Sequence, residues 1–447
     1  MTASNQSQPA RVLLAWSLPC LPYAAIGLPL AVYLPHYYST VIGVDLGVVG
    51  AVFLLVRCID IFFDPVVGWA MDRTVNRWGR YRTWITLGTP ALAAATWMIF
   101  MAAPGSGPDY LFGWLLLLYL GFSITTLAQL AWGAVLAPAY NGRSRLYAWW
   151  QAFNIVGVLI ALFIPVVVNL LKLGDYEAGV KAMGAFVVIA LPVTLAINLL
   201  AVPEPRNVTP RPHGGLKAWI GLFRRRSVRK ILFCDLLLGL APGLTGALLF
   251  FYFRSVKGFG QEQSQQFMAF YFAAGLLGAP AWSWLATRIG KDRALQIASV
   301  TFAALYAAVG FVPAGDFGAA AIALFAAGLP YAAGLLLTRA MMADVADEVR
   351  LETGEDRMGL LFSFLSLTTK LGYAVSIGSL VILKWSGFDE ALGSANPPLA
   401  LATLQVLFLA VPVLLLVASA WTLVRYPLTA ARHAEIRAAL AGREEAA

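Results

Sequence analysis

Residues 57–84 read RCIDIFFDPVVGWAMDRTVNRWGRYRTW, an apolar run that ends in a strongly basic turn. At about 100° per residue, Arg57, Asp60 and Asp64 fall on one face of a helix. Ionisable residues are costly inside a membrane span and usually face a cavity there, so they indicate a functional site. The alternative is a buried ion pair that only stabilises the fold.

The composition of the whole chain is that of a protein with many membrane spans. Its 447 residues are 60% hydrophobic and 12% charged, and the mean hydropathy is +0.74. Soluble domains contain about 25% charged residues. The net charge of +9 does not indicate nucleic acid as a partner, because the basic residues lie in short loops between apolar runs.

Apolar runs long enough to cross a bilayer, about 20 residues each, recur twelve times. They are continuous rather than alternating with polar residues, which favours helices over a β-barrel. The predicted spans are 12–38, 46–71, 83–103, 110–137, 147–171, 182–202, 229–253, 265–287, 294–313, 318–343, 358–383 and 400–425. The sequence therefore predicts an all-α membrane protein with twelve transmembrane helices in two six-helix halves.

Charge asymmetry between the loops sets the expected orientation. Of the 32 lysines and arginines, five fall in one set of alternate loops: Lys172, Lys181, Arg254, Lys257 and Lys384. By the positive-inside rule the other, more basic set is cytoplasmic, and both termini lie on that side.

The polar segment 203–228 separates the predicted halves. We expect an N-terminal half at 1–202, a central cytoplasmic loop at 203–228, a C-terminal half at 229–426 and a cytoplasmic tail at 427–447. A weak internal repeat supports this division: Gly79-Arg80-Tyr81-Arg82 follows the second span, and Gly290-Lys291-Asp292-Arg293 follows the eighth. Duplicated halves are typical of major-facilitator carriers, whose substrate site lies near the middle of the membrane.

Three stretches, spread over both halves, resemble one family. The segment 64–84, DPVVGWAMDRTVNRWGRYRTW, is similar to the helix 2–3 signature of the glycoside–pentoside–hexuronide:cation symporters, the melibiose-permease group of the major facilitator superfamily. Supporting matches are RSRLYAWWQAFNIVG (143–157) and MMADVADEVRLETGEDRMGLLFSFLSLTTKLGYAV (341–375). The resemblance implies the major facilitator fold and a secondary transporter that moves a solute together with Na⁺, Li⁺ or H⁺ by alternating access.

The resemblance also implies a cation site. In sugar-transporting members an acidic pair on helix 2 binds the ion, and the matching residues here are Asp60 and Asp64, with Thr126 and Lys370 beside them. We expect H⁺ or Na⁺ as the coupling ion, no other cofactor, and Asp60 and Asp64 as metal ligands if the ion is Na⁺. The expected location is a bacterial inner (plasma) membrane, where the protein functions as a monomer in the lipid bilayer.

The chain departs from the sugar-transporting pattern at three places. Ala24, Gln129 and Gln151 stand where those members have a carboxylate, a second carboxylate and an arginine. Carboxylates bind sugar hydroxyls through charge-assisted hydrogen bonds. A sugar or glycoside remains the first expectation for the small solute, and the alternatives are a non-sugar solute or a lysolipid on the same fold.

Considered as chemistry, the acidic pair suits either ion. Two carboxylates at i,i+4 stay ionised together only if a cation or a basic neighbour compensates their repulsion. Phe63 stands where an amide oxygen would have favoured a metal ion, which favours H⁺ slightly. Arg57 can clamp Asp60 at i,i+3. We hypothesise that Lys370 neutralises the pair when the ion is absent; the alternative is an amine that reaches the cytoplasmic surface.

The basic turn is expected to act as a gate formed by Asp72, Arg73, Arg80 and Arg82. Its possible partners are acidic residues of a later loop: Asp347, Glu348, Glu352, Glu355 and Asp356. The alternative is that these charges only determine topology, since an exposed ion pair contributes about 0–1 kcal/mol. Asp235 is either a relay carboxylate or the partner of a loop arginine, and Arg339 is expected in a cytoplasmic charge network.

A solute cavity usually has aromatic walls and a few convergent polar groups. The candidates are Tyr23, Gln129, Trp132, Gln151, Asn154, Tyr252, Tyr331 and Tyr373. Each can instead pack or lie at the membrane interface. The amides are favoured because buried amides need partners.

Other function classes have weaker support. The sequence contains no HExxH, GxSxG or Walker-type motif, so we do not expect an enzyme. Cys20, Cys58 and Cys234 have no CxxC spacing, which argues against metal or redox use. Two halves joined by gating loops fit alternating access better than a channel. A non-transporting sensor is disfavoured because Asp60, Asp64 and Lys370 are retained.

Overall fold

A computed structural model describes residues 8–174, 176–204 and 221–445, and these residues are almost entirely helical. The helices of the first half are α1 (Ala10–Ser17), α2 (Cys20–Leu28), α3 (Leu34–Tyr37), α4 (Leu46–Arg73), α5 (Arg80–Phe100), α6 (Pro108–Leu136), α7 (Tyr140–Leu170) and α8 (Tyr176–Ala201). Short π-helices at Pro29–Tyr33 and Tyr38–Ile42 precede and follow α3. The predicted span 12–38 is therefore several helical pieces in sequence.

Proline accounts for the break between α1 and α2. Pro19 has no N–H, so the carbonyl of Ala15 lacks its usual helical partner. The side-chain amide of Asn198 on α8 donates to the carbonyls of Ala15 and Trp16, at 3.3 Å in each case. The break is thus braced by a neighbouring helix.

The later helices are α9 (Arg226–Ser255), α10 (Gln261–Ile289), α11 (Lys291–Val309), α12 (Phe317–Gly328), α13 (Tyr331–Thr353), α14 (Met358–Trp385), α15 (Pro398–Gln405), α16 (Val411–Thr422) and α17 (Ala430–Glu445). A 3₁₀ turn lies at Glu390–Ala395 and a π-helix at Val406–Ala410. The predicted span 318–343 is divided into α12 and α13 at Pro330, which cannot donate a helix hydrogen bond.

Membrane-spanning segments agree with the prediction. Among the described residues, ten stretches are long and apolar enough to cross a membrane. The two remaining predicted spans, 46–71 and 294–313, coincide with α4 and α11. The prediction of an all-α protein with twelve spanning segments is confirmed.

Contacts between residues divide the chain into two compact units. Unit 1 contains residues 1–212 and 354–363, and unit 2 contains residues 213–353 and 364–447. One boundary therefore falls inside α14, whose first residues belong to unit 1. The predicted central loop lies largely outside the described residues, and the predicted domain limits stay predictions.

Each unit has its own apolar core. In unit 1, the buried Tyr38 donates its hydroxyl to the carbonyl of Ile99 at 3.1 Å. In unit 2, Tyr252 stacks on Phe408 with ring centroids 4.2 Å apart, and both side chains are buried. Tyr252, a solute candidate, thus packs in the core of unit 2, and its contact with solute stays a prediction.

Candidate functional site

The acidic pair lies on α4, a continuous helix with a defined N-cap and an internal proline. Asp45 caps its first turn, because the carboxylate accepts the N–H groups of Gly47 and Val48 at 2.9 and 3.1 Å. The helix continues through Pro65, whose missing N–H frees the carbonyl of Ile61 one turn earlier. The free Ile61 carbonyl therefore lies on the same turn as Asp60, the turn that precedes Asp64.

Asp60 and Asp64 are both fully buried in unit 1. The Asp60 carboxylate accepts a hydrogen bond from the Ser123 hydroxyl of α6 at 3.1 Å. Thr126, expected near the ion, donates its hydroxyl to the carbonyl of Phe122 in its own helix at 2.7 Å. The structure thus joins the acidic pair to α6 through Ser123, a residue that the sequence reasoning missed.

A sequence signal for Ser123 existed. Residues 123–126 read SITT in a segment that is otherwise apolar from Leu111 to Leu127. Hydroxyl residues concentrated in one turn of an apolar helix need partners, and Asp60 is a suitable acceptor.

Arg57, like Asp60, contacts α6. Its guanidinium carbon lies 5.2 Å from the centroid of the Tyr119 ring, within cation–π range. Tyr119 and Ser123 are four residues apart on α6, so one face of α6 meets both Arg57 and Asp60. A charged stripe of α4 and a polar stripe of α6 therefore face each other.

Lys370 lies on α14 in unit 2, and its predicted pairing with the acidic pair stays a prediction. Its neighbours Thr368 and Thr369 each donate a hydroxyl to Asp235 of α9 at 2.8 Å. Asp235 also accepts from Thr338 of α13 at 2.9 Å. This buried carboxylate therefore connects three helices of unit 2.

Arg339 and Asp235 lie close together in unit 2. The Arg339 guanidinium is 3.9 Å from the buried Asp235 carboxylate, and both residues are in helices. Asp344, further along α13, pairs with Lys291 at 2.6 Å. The expected charge network of Arg339 stays a prediction.

The basic turn after α4 contacts the beginning of α14, within unit 1. Asp72 accepts the backbone N–H groups of Gly359 and Leu360 at 2.7 and 2.9 Å. These are first-turn N–H groups that lack partners inside a helix, and a carboxylate also complements the positive end of the helix dipole. Asp72 therefore caps α14 from α4.

This contact requires glycine on α4. A Cβ atom at Gly68 would lie 2.6 Å from the carbonyl oxygen of Gly359, closer than real Cβ contacts. Gly359 itself lies against Asp72, because a Cβ there would be 2.7 Å from the carboxylate. The backbones of α4 and α14 meet at these two glycines.

Arg80 adds an ion pair to the same contact. Its guanidinium lies 3.0 Å from Asp356 and 3.9 Å from Asp72. Asp356 in turn accepts the N–H of Met358 at 3.1 Å, so it caps its own helix. Among the five acidic residues considered as partners of the basic turn, Asp356 is the one that contacts Arg80.

Arg73 and Arg82 lie elsewhere in the turn. Arg73 stacks over Trp69, with its guanidinium carbon 3.9 Å from the ring centroid. Arg82 donates to the carbonyl of Val202 at 2.5 Å. Their proposed role in gating stays a prediction.

Glu204 fixes the start of α5 and was not identified from the sequence. Its carboxylate accepts the backbone N–H groups of Tyr81 and Arg82 at 2.9 and 3.0 Å. Burial raises the pKa of Glu204, and these hydrogen bonds oppose the rise. Gly79 precedes this turn with φ of 111°, a conformation that favours glycine.

The residues expected to contact solute are dispersed. Gln129 donates its amide to the carbonyl of Trp16, and both side chains are fully buried. Trp132 is also fully buried, and its indole N–H donates to Pro203 at 3.2 Å. Gln129 and Trp132 thus each hydrogen-bond to the backbone of another segment of unit 1. Their contact with solute stays a prediction.

The other solute candidates have different surroundings. Tyr23 is buried and packs edge-on against Phe122 of α6. Gln151 is buried, and its side-chain carbonyl oxygen has no hydrogen-bond partner among the described residues. Asn154 is half-buried and donates to the carbonyl of Trp150 at 2.8 Å. The side chain of Tyr373 lies outside the described residues.

The described residues contain no group of three or more His, Cys, Asp or Glu side chains that could hold a metal ion. A sodium ion at the acidic pair would therefore need further oxygens, such as the Ser123 hydroxyl and the freed carbonyl of Ile61. A proton needs only one carboxylate.

Known proteins with similar sequences are membrane transporters. The family model described as MFS/sugar transport protein matches residues 15–430. The sodium-dependent lysophosphatidylcholine symporter 1-B of Danio rerio is 23% identical, over 93% of this chain and 86% of that protein. The inner membrane symporter YicJ of Escherichia coli (strain K12) is 23% identical, over 88% of this chain and 86% of that protein.

Solved structures agree on the fold. The fucose:proton symporter FucP of E. coli superposes with a TM-score of 0.65 at 16% identity, covering 93% of this chain and 99% of that one. The resemblance drawn from residues 64–84, 143–157 and 341–375 is thereby confirmed, and the relatives are transporters rather than enzymes. The chain belongs to the MFS/sugar transport family of the major facilitator superfamily and is an integral, multi-pass membrane symporter.

Proposed function

We propose that this symporter couples the inward movement of a small solute to H⁺ or Na⁺ bound at Asp60 and Asp64. The observation that supports this most is the complete burial of two carboxylates one helical turn apart on α4. Such a pair is stable only when a positive charge compensates it. In a symporter family, the coupling ion is the natural source of that charge.

The surroundings of the pair define what each ion would find. With H⁺, one of the two carboxyl groups would hold the proton. With Na⁺, the carboxylates, the Ser123 hydroxyl and the carbonyl of Ile61 would supply the oxygen ligands. The Ser123 hydroxyl already donates to Asp60 at 3.1 Å.

For the solute, a sugar or glycoside is the first proposal, and a lysolipid is the second. The description of the matching family, MFS/sugar transport protein, favours a sugar. The second proposal is supported by Ala24 and Gln129, which replace carboxylates of sugar-transporting members, and by Gln129 being engaged with Trp16. A sugar would therefore have to be bound by other polar groups, such as Gln151.

We further propose that Asp72 and Arg80 act as a gate by holding and releasing the first turn of α14. Their contacts to Gly359, Leu360 and Asp356 support this, since a cap and an ion pair can be exchanged for water. The protein would lie in a bacterial inner membrane with both termini cytoplasmic, as the loop charges favour.

The test is solute counterflow and ion-driven uptake in proteoliposomes. A panel of sugars, glycosides and lysophosphatidylcholine is assayed with and without a Na⁺ gradient and at two pH values. We expect accumulation of one solute class that depends on one ion gradient. Asp60→Asn should lose ion-driven uptake at least about a hundredfold, because removing one member of a buried charge pair is strongly unfavourable.

A matched control is Asp109→Asn, an exposed carboxylate in the first turn of α6 that should leave uptake unchanged. Downhill exchange of solute should persist in Asp60→Asn even where accumulation is lost. Full ion-driven accumulation in both Asp60→Asn and Asp64→Asn would refute the ion site, and uptake indifferent to both gradients would refute symport.

A further inference from the structure

A groove on unit 2 is lined by two kinds of side chain that rarely share a surface. It has a volume of about 860 Å³, within the size range of ligand pockets, and it lies between α9, α16 and Thr368 of α14. Its basic residues are Arg229, Lys230 and Arg425, and its apolar wall includes Phe233 and Trp421. None of the described residues that line it is acidic.

The apolar wall faces outward. Phe233 is 53% exposed and Trp421 is 77% exposed, and both lie on helices of the spanning set. Side chains of this size, exposed on a membrane helix, meet lipid rather than water. The groove therefore opens to the bilayer, at the end of α9 that also begins the basic run 224–230.

Lys230 lines the groove and joins two of its helices. Its amine donates to the carbonyl of Thr422, the last residue of α16, at 2.8 Å, and to that of Val424 just beyond the helix. This contact fixes α9 against α16 and places one positive charge at the negative end of a helix. Lys230 is thus part of the frame of the groove.

Arg229 and Arg425 supply the remaining charge. Both are exposed, and neither makes an ion pair with a carboxylate among the described residues. Arg425, two residues beyond the Leu423 C-cap of α16, has φ of 54°, a left-handed conformation that is uncommon for residues other than glycine. An arginine in this strained conformation keeps a cation at the mouth of the groove, and such outliers indicate function.

We propose that this groove binds an anionic glycerophospholipid of the surrounding membrane, such as phosphatidylglycerol, as a bound and not a transported lipid. Its phosphate would lie between Arg229 and Arg425, and an acyl chain along Phe233 and Trp421. Basic pockets between membrane helices on the cytoplasmic side recognise anionic headgroups in this way. Charge complementarity selects the anion, and the apolar wall selects a lipid over a soluble phosphate.

Native mass spectrometry of the purified full chain, titrated with lipid, tests the proposal. Phosphatidylglycerol should bind about tenfold more tightly than phosphatidylcholine. Arg229→Gln and Arg425→Gln should each weaken phosphatidylglycerol binding about fivefold, as expected for one basic residue near a membrane surface. Binding of phosphatidylcholine should not change.

Arg288→Gln is the matched control, because Arg288 is another exposed arginine that lies over a tryptophan, Trp284, at 5.5 Å from the ring centroid. It should bind phosphatidylglycerol as the unaltered chain does. Equal affinity for the two lipids, or the same loss in Arg288→Gln as in Arg229→Gln, would overturn the proposal. Displacement of the lipid by millimolar glycerol phosphate would also overturn it, because a soluble anion site would then explain the charges.

Discussion

The turn after α4 and the turn after α10 each end in a glycine of the same conformation, but the residues that follow have different partners. Gly79 (φ 111°, ψ 147°) and Gly290 (φ 94°, ψ 152°) each precede a helix whose first residue is basic, Arg80 or Lys291. Arg80 pairs with Asp356 in unit 1 at 3.0 Å, and Lys291 pairs with Asp344 in unit 2 at 2.6 Å. The weak repeat seen in the sequence is thus a repeat of local structure.

The two pairs differ in their access to water. Arg80 and Asp356 have 13% and 10% of their side chains exposed, whereas Lys291 and Asp344 have 1% and 3%. The second pair is also covered by α17, whose buried His433 lies 3.6 Å from Asp344 and 3.0 Å from Asp347. Water can therefore replace the partners of Arg80 more easily than those of Lys291.

The comparison teaches that one motif can serve two purposes. In unit 1 the contact is a partly exposed pair together with a helix cap, which suits release. In unit 2 it is a buried pair covered by a further helix, which suits permanence. Predictions that separate stability from transport follow from this difference.

Lys291→Met should have the largest effect on stability. Removing one partner of a buried ion pair leaves the other charge buried, so we expect the free energy of unfolding to fall by about 3 kcal/mol. Reversible unfolding in mixed detergent micelles measures this. Arg288→Gln, three residues earlier and exposed, should change the value by less than about 0.5 kcal/mol. Similar values for the two variants would remove the distinction between the two turns.

The pair formed by Arg80 and Asp356 should show a smaller coupling. A double-mutant cycle with Arg80→Gln and Asp356→Asn should give a coupling free energy of about 1–2 kcal/mol, since the pair is a charge-assisted hydrogen bond close to water. The same variants should change the rate of solute exchange in proteoliposomes more than they change stability. An exchange rate equal to that of the unaltered chain would show that this contact has no part in gating.

Glu204→Gln should have the smallest effect, visible as a change in pH dependence. Because burial raises the pKa of Glu204 in the folded state, folding favours its protonated form. The stability of the unaltered chain relative to Glu204→Gln should be greatest at low pH and decline as pH rises through that raised pKa. Unfolding curves at several pH values measure this difference.

The exposed Glu435, paired with Arg432 on α17, provides the control for that experiment. Glu435→Gln should give a pH profile parallel to that of the unaltered chain. A relative stability that instead rises with pH for Glu204 would mean that its hydrogen bonds to α5 outweigh its burial.

Hydropathy was sufficient to predict the spanning segments, because the cost of polar groups in lipid acts on each segment separately. The burial of Asp60 and Asp64 also followed from their position within an apolar run. The breaks at Pro19 and Pro330 were predictable in principle, since the prolines are visible, but both lie in apolar runs that read as continuous spans.

Partners distant in sequence were not predictable. Ser123 for Asp60, and Thr338 for Asp235, are separated by 63 and 103 residues, and their pairing depends on which helices pack together. Glu204 caps α5 from 123 residues away. A single sequence indicates where each helix forms, but it does not indicate which other helices pack against it.

The cap that Asp72 makes on α14 has a consequence for the order of assembly. Its acceptor and the N–H of Gly359 are 287 residues apart, and both belong to unit 1. At ribosomal rates of about 5–20 residues per second, Asp72 enters the nascent chain roughly 15–60 s before Gly359 is synthesised. The first unit is therefore begun early but completed late, and until α14 is synthesised Asp72 has no helix to cap.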